Sequence, residues 1–130
     1  MNWYKKAQTI FSGTYYHGSD KKGLKTLLPS KKNTVRGKGI FLSDSIKYAK
    51  TFGGIVYVCS VLFKNPKIYE SSLDLEIDSM RNNGYDNLYF ILKKQNYDGV
   101  IILKSKVSTG VIEEIICFEP QSIKIESVLQ

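Results

Sequence analysis

This 130-residue chain holds one histidine, two cysteines and, among its 19 basic residues, two arginines. A single His17 and no closely spaced cysteine pair speak against a Cys/His zinc site, so no metal is expected. Cys59 and Cys117 each sit inside an apolar run, 56–61 and 115–118, and read as small buried hydrophobes. No apolar stretch approaches the ~20 residues that cross a bilayer as a helix, and no membrane partner is expected. Met1-Asn2-Trp3-Tyr4-Lys5-Lys6-Ala7 lacks the apolar segment of a secretory leader. A reducing cytoplasm is the expected compartment. No Gly-x-Gly-x-x-Gly follows the first strand candidate, which leaves a Rossmann mode of dinucleotide binding without support. Repeats, low-complexity tracts and linkers are absent too.

What is present is a basic chain with enough apolar residues for one core. The net charge of +7 favours polyanions, meaning nucleic acid, acidic proteins or a dinucleotide. Having only Arg36 and Arg81 weighs against specific RNA reading, which leans on arginine forks. At 42% hydrophobic, residues 1–130 are expected to form a single domain, with 1–12 as a lead-in. Strands are expected at 14–17, 39–43, 55–63, 67–70, 100–103 and 111–118, with an edge strand at 121–128. Helices are expected at 21–28, 45–52, 73–80 and 87–94, with Ser43 or Asp44 capping the second. Short strands with helices set between them predict a mixed α+β domain.

Three segments carry candidate chemistry: Tyr15-Tyr16-His17-Gly18-Ser19, Gly37-Lys38-Gly39-Ile40-Phe41-Leu42-Ser43-Asp44, and Glu113-Glu114-Ile115-Ile116-Cys117-Phe118-Glu119-Pro120. In chain order they are a His-Gly strand end, a glycine-flexed aromatic strand entering a helix, and a glutamate opening a late strand. That order resembles the ADP-ribosyltransferase superfamily, in the branch of diphtheria toxin and the poly(ADP-ribose) polymerases, whose motifs begin His, aromatic, Glu. The resemblance spans about residues 14–126. Tyr97-Asp98-Gly99-Val100-Ile101-Ile102 and the closing 118–124 extend it to small phage-encoded ADP-ribosyltransferase domains.

The resemblance implies a split antiparallel sheet and NAD as substrate, with no metal. It implies that His17 binds an adenosine-ribose hydroxyl and that Gly18 offers backbone groups to the nicotinamide amide. Phe41 falls on the stacking aromatic and Phe52 on a second wall; Tyr48 is a further stacking candidate. Glu114 falls on the catalytic carboxylate. Such a reaction passes through an oxocarbenium-like cation, which aromatic faces and a fixed negative charge suit. Ser19 and Ser43 are candidate hydroxyl donors, and Arg36 and Lys38 end a basic loop, 31–38, fitted to phosphates.

Duller readings stand beside these. Phe41 and Phe52 also suit a core, Ser43 a helix cap, and Asp98-Gly99 a plain turn. Glu113 and Glu114 are expected on opposite faces of a strand, so that only one enters a cleft. Three departures from the family pattern bear on mechanism. Phe41 replaces a tyrosine, Ala49 stands where a serine often bonds nicotinamide, and Ile112 precedes Glu114 by two, where arginine-modifying members carry Glu or Gln. Single transfer of ADP-ribose to a macromolecule other than at arginine is therefore the expected activity, with phage or mobile-element origin and host machinery as target by analogy. NAD hydrolysis by the same site, and a non-catalytic basic module that docks on nucleic acid or acidic protein, are the alternatives. RNA 2′-phosphotransferases share the opening His-Gly but need further His and Arg contacts that this chain is short of. The acceptor and the oligomeric state have no readable code.

Overall fold

The computed structural model describes residues 11–29, 36–104 and 111–129. Residues 1–10 of the expected lead-in, and 31–35 of the basic loop, lie outside them. In chain order the elements are β1 (Phe11–Ser19), β2 (Ile40–Ser43), α1 (Ile46–Ala49), β3 (Ile55–Phe63), β4 (Pro66–Tyr69), α2 (Ser72–Arg81), α3 (Tyr85–Lys94), β5 (Gly99–Leu103), β6 (Ile112–Cys117) and β7 (Ile123–Leu129). Among the described residues short 3-10 turns also stand at Lys50–Phe52 and Pro120–Ser122.

All seven strands join one sheet, ordered β4-β5-β6-β2-β1-β3-β7. The sheet is mixed, not purely antiparallel as expected: β4 runs parallel to β5. A parallel neighbour needs a long crossover, and α2 with α3 supply it. The strong feature is β3, Ile-Val-Tyr-Val-Cys-Ser-Val-Leu-Phe, rich in the β-branched and aromatic types that suit a pleated surface. It pairs with β1 over the whole length, from Phe11↔Phe63 to Ser19↔Ile55. On its other side lies β7, which is an edge strand as expected.

The sheet is nearly severed in the middle. β1 and β2 share a single register pair, Tyr16↔Ser43. Past that pair the two strands part, and the fork between His17–Ser19 and the start of β2 opens a cleft. Alternation along β5 and β6 divides the apolar residues between two cores. Ile101, Ile115 and Cys117 enter one with Tyr15, Tyr57, Cys59 and Phe63; both halves of the sheet contribute to it. Val100, Ile102 and Ile116 enter the other, capped by Leu75 of α2 and Leu88, Tyr89 and Leu92 of α3. Strands covered on both faces read as unbroken apolar runs, which is why Val100-Ile101-Ile102 shows no alternation.

Local chemistry explains the departures. Residues 21–28 form no helix, because Gly23 sits at φ +70° and the phenol of Tyr57 takes over their backbone bonding. Its hydroxyl donates to Lys21 O at 2.6 Å and accepts from Leu24 N at 3.1 Å. The segment is thereby strapped to β3, with Leu27 buried in the shared core. The N-cap of α1 is Ser45, not Ser43 or Asp44: its side chain accepts from Tyr48 N at 3.1 Å. Ser43 is held in β2 between Tyr16 and Glu114, and its Oγ instead accepts from Ser45 N at 3.0 Å. Asp98 is structural, its carboxylate accepting from Lys64 N and Asn65 N at 2.6 and 3.1 Å and so pinning the β3–β4 corner to the start of β5.

Both cysteines are fully buried, and burial pushes the Cys59 thiol up to about 12 and that of Cys117 higher still. With so little thiolate, neither reacts with iodoacetamide at pH 8 until the protein is unfolded. Intact-mass measurement of the native and urea-unfolded protein checks this.

Candidate active site

The fork in the sheet holds a cavity of about 740 Å³. That lies within the roughly 300–1,000 Å³ of small-molecule and cofactor pockets. One wall is the end of β1, Tyr16 to Ser19; a second is β2 with Gly39, Phe41, Leu42 and Ser43. Tyr48, Ala49 and Phe52 from α1 and its 3-10 extension form a third, and the strapped segment from Lys21 to Pro29 closes the remaining side. Arg36 and Glu114 meet at the end where β6 joins β2.

His17 stands where the ladder fails. Its Nδ1 donates to Phe41 O at 2.8 Å, taking a carbonyl of β2 just where β1 and β2 diverge. A proton on Nδ1 leaves Nε2 of the neutral ring as an acceptor, the role that binding a sugar hydroxyl requires. Burial lowers the imidazole below its ordinary value against the opposing pull of the Phe41 carbonyl, so the ring is neutral at pH 7.

Gly18 is needed for close approach. A Cβ there would lie 1.7 Å from the backbone oxygen of Ala49, so only glycine lets α1 pack on β1. Gly18→Ala therefore displaces α1, with its Tyr48 and Phe52, from the cleft. We expect a loss of at least about 1–3 kcal/mol in stability, read by urea unfolding, and a site opened on that wall.

Across the strands run Tyr16, Ser43 and Glu114 in direct register, one each from β1, β2 and β6. Glu114 is 4% exposed. It bonds Arg36, Nη1 to Oε1, at 2.5 Å. Burial raises its carboxyl above the ordinary 4.5, and the Arg36 charge and hydrogen bond pull the other way without cancelling it. For Arg36 the balance is opposite: burial weakens the cation, but Glu114 and Glu113 more than restore it. Of the two glutamates only Glu114 lines the cleft, as expected, but the strand between them is irregular. The register of β5 on β6 passes from Ile102↔Glu114 to Leu103↔Ile112, so Glu113 is an extra residue in the ladder. Such a slip re-aims side chains, and Glu113 Oε2 comes to 3.8 Å from Arg36 Nη2. One guanidinium thus faces both carboxylates.

The aromatic wall is the pair Tyr48–Phe52, edge to face at 5.3 Å between centroids. Both are exposed, Phe52 by 56%, so their ring faces are open to the cleft they line. Burial first, and then the Glu114 charge, raise the Tyr48 phenol, which places that hydroxyl in the field of the same carboxylate. Phe41 lines the cleft yet also packs on the core beneath α2 and α3, so it serves both readings. Ser19 lines it with an Oγ that accepts from Lys21 N at 3.0 Å, and its own proton is still available.

Of the expected residues, the fork brings together His17, Gly18, Ser19, Arg36, Phe41, Ser43, Tyr48, Phe52 and Glu114. Lys38 is not among them. It is exposed, outside the lining, with its backbone N–H bonded to Asp86 Oδ1 at 3.0 Å. Arg36 lines the cleft as well, with its guanidinium on Glu114. Tyr16, Leu24 and Leu27 line the cleft without having been expected there; Tyr16 lies inside the first motif, and the helix-like spacing of Leu24, Leu27 and Leu28 was the signal of the leucines. Among the described residues no group of three His, Cys, Asp or Glu side chains is placed to hold a metal. No helix among them is long and apolar enough to cross a membrane.

No family model matches this chain, and no curated protein does. Among solved structures, the crystal structure of an anti-CRISPR protein is similar over 89% of this chain and 95% of that one, at 15% identity and a TM-score of 0.47. A likeness at that level carries no argument about activity, and the site has to be read from its own chemistry.

Proposed function

We propose that this protein is a mono-ADP-ribosyltransferase that takes NAD as substrate and transfers ADP-ribose to a macromolecule. The observation that carries the proposal is the meeting of a buried carboxylate, Glu114, with His17, whose Nδ1 is taken by Phe41 O, and an exposed aromatic wall in one cleft. Nicotinamide in NAD is a flat cation, and Tyr48 and Phe52 offer it π-faces. His17 Nε2 accepts a ribose hydroxyl, and Gly18 gives the ligand a surface without a side chain. As the bond between nicotinamide nitrogen and ribose C1′ breaks, its electron pair leaves with nicotinamide and positive charge builds on the ribose. Glu114, fixed in a partly dry cleft, stabilises that charge without reorganising. The acceptor then bonds to C1′ and gives its proton to water. The basic surface of a +7 chain suits capture of a dinucleotide and of an acidic acceptor face.

The test is incubation with isotope-labelled NAD and a bacterial lysate, followed by mass spectrometry of the protein and nucleic-acid fractions. A bound ADP-ribose increment on either fraction supports transfer and names the acceptor class. Free ADP-ribose alone assigns water as the acceptor, and intact NAD under all conditions contradicts the proposal.

A further inference from the structure

Arg36 is a charged group in the cleft that the proposed reaction does not yet use. We propose that Arg36 is a positioning residue for Glu114: it clamps the carboxylate in one orientation at the head of the cleft and holds it ionised for catalysis. The inference rests on the transferase reading above for its catalytic half, and on geometry alone for its structural half.

The geometry is that of a fixed clamp. Arg36 sits directly before Gly37, at φ +86°. Its carbonyl accepts from the Tyr89 hydroxyl at 2.6 Å, which ties the start of this turn to α3. The next residue but one, Lys38, bonds Asp86 of the same helix through its backbone. The guanidinium is thus held at its backbone by α3, which packs on the second core. From there it reaches across 78 residues of sequence to Glu114 Oε1, with Glu113 on its far side at 3.8 Å. One hydrogen bond to Glu114, with a second carboxylate at 3.8 Å whose Oε2 has no hydrogen-bond partner among the described residues, sets this planar group between the two anions.

The clamp also answers an energetic problem. A carboxylate 4% exposed on an apolar strand is driven towards its neutral form by desolvation, and a neutral acid is useless against a developing cation. The groups facing it are few. Glu113 from β6, Tyr48 from α1 and Tyr89 from α3 are acids whose ionised forms would all disfavour the Glu114 anion. His17 on β1 is neutral at pH 7. Arg36 is the cation that offsets them, and no other positively charged side chain among the described residues is bonded to Glu114.

The test compares wild type with Arg36→Gln, Arg36→Lys and Glu113→Gln. Two readouts are used: the pH dependence of NAD-dependent nicotinamide release, and the titration of Glu114 followed by carboxyl ¹³C NMR in protein labelled at glutamate. Arg36→Gln is expected to lose about tenfold or more in rate at pH 7, the effect of an opposite charge at this range, and to recover as pH rises. Its Glu114 resonance titrates at higher pH than in wild type. Arg36→Lys restores part of both. Glu113→Gln moves both in the opposite direction, because it removes an anion. An unchanged Glu114 titration in Arg36→Gln, with the melting profile of a folded protein, overturns the clamp; so does a faster enzyme, which would make Arg36 an inhibitory latch. Should wild type prove inert towards NAD, the transferase reading fails while the NMR titration still decides whether Arg36 holds the carboxylate ionised. Should Arg36→Gln not fold, Arg36→Lys against Glu113→Gln carries the comparison.

Discussion

Glu114→Gln is expected to cut NAD-dependent nicotinamide release by about 10²–10³-fold, the usual effect of deleting one preorganised charge or dipole at a developing ion. The substitution keeps shape and removes only the negative charge, so NAD binding should survive. It should not unfold the protein either. Burial raises the Glu114 carboxyl above 4.5, which means the folded state holds the proton more tightly than the unfolded chain. The stability this group contributes is therefore present below pH 4.5 and is lost as pH rises through the raised folded value. At neutral pH the ionised form is a net cost that glutamine removes. Arg36 then loses the anion that does most to hold its cation and keeps Glu113 at 3.8 Å, which offsets that gain. Melting curves of the two proteins between pH 4 and 8 should thus move in favour of Glu114→Gln as pH rises. Activity has the matching signature: because the anion is the active form, the acidic limb of the wild-type rate profile lies above the ordinary carboxylate range.

His17→Ala is expected to have the second largest effect, because it removes two things at once. Without Nδ1–H, the Phe41 carbonyl at the fork loses the donor that replaces a ladder bond, at a cost of about 1–3 kcal/mol in stability. Without Nε2, the ribose hydroxyl loses its acceptor, and kcat/KM should fall by about 10–100-fold, mostly through KM. Steady-state kinetics and urea titration on the same preparation separate the two losses. Burial lowers the His17 imidazole, so the sign of its pH effect is the reverse of the Glu114 case. Its contribution to stability is present above about 6.5 and is lost as pH falls through the lowered folded value. An NAD-binding site that relies on Nε2 as an acceptor should fail over that same acidic interval.

Much of the frame was legible because it depends on local pattern. The run at β3 is so rich in β-branched and aromatic residues that 55–63 could be read to the residue. Asn82-Asn83-Gly84 marked the break between α2 and α3, with Asn83 and Gly84 both at positive φ. His17, Gly18, Phe52 and Glu114 were readable as a set only through the resemblance of three motifs to a known family, and the fork brings them to one cleft. The strap on residues 21–28 was not readable: a leucine pattern suggests a helix until Tyr57, from another strand, claims the backbone groups. The same holds for Arg36. In sequence it belongs to a basic loop suited to phosphate, and only the pairing of β2 with β6 brings it against Glu114. The slip at Glu113 was hidden for a related reason, since strict alternation is a rule for regular strands and register is set by partners.

The central claim is that one cleft splits the nicotinamide–ribose bond through the charge of Glu114. Its most direct measurement is nicotinamide release from NAD by the purified protein, quantified by mass spectrometry beside Glu114→Gln at pH 7.5. Wild type is expected to release nicotinamide when an acceptor fraction is supplied, and the variant at least about a hundredfold less. Equal release from the two proteins, or none from wild type with any acceptor fraction supplied, would contradict it.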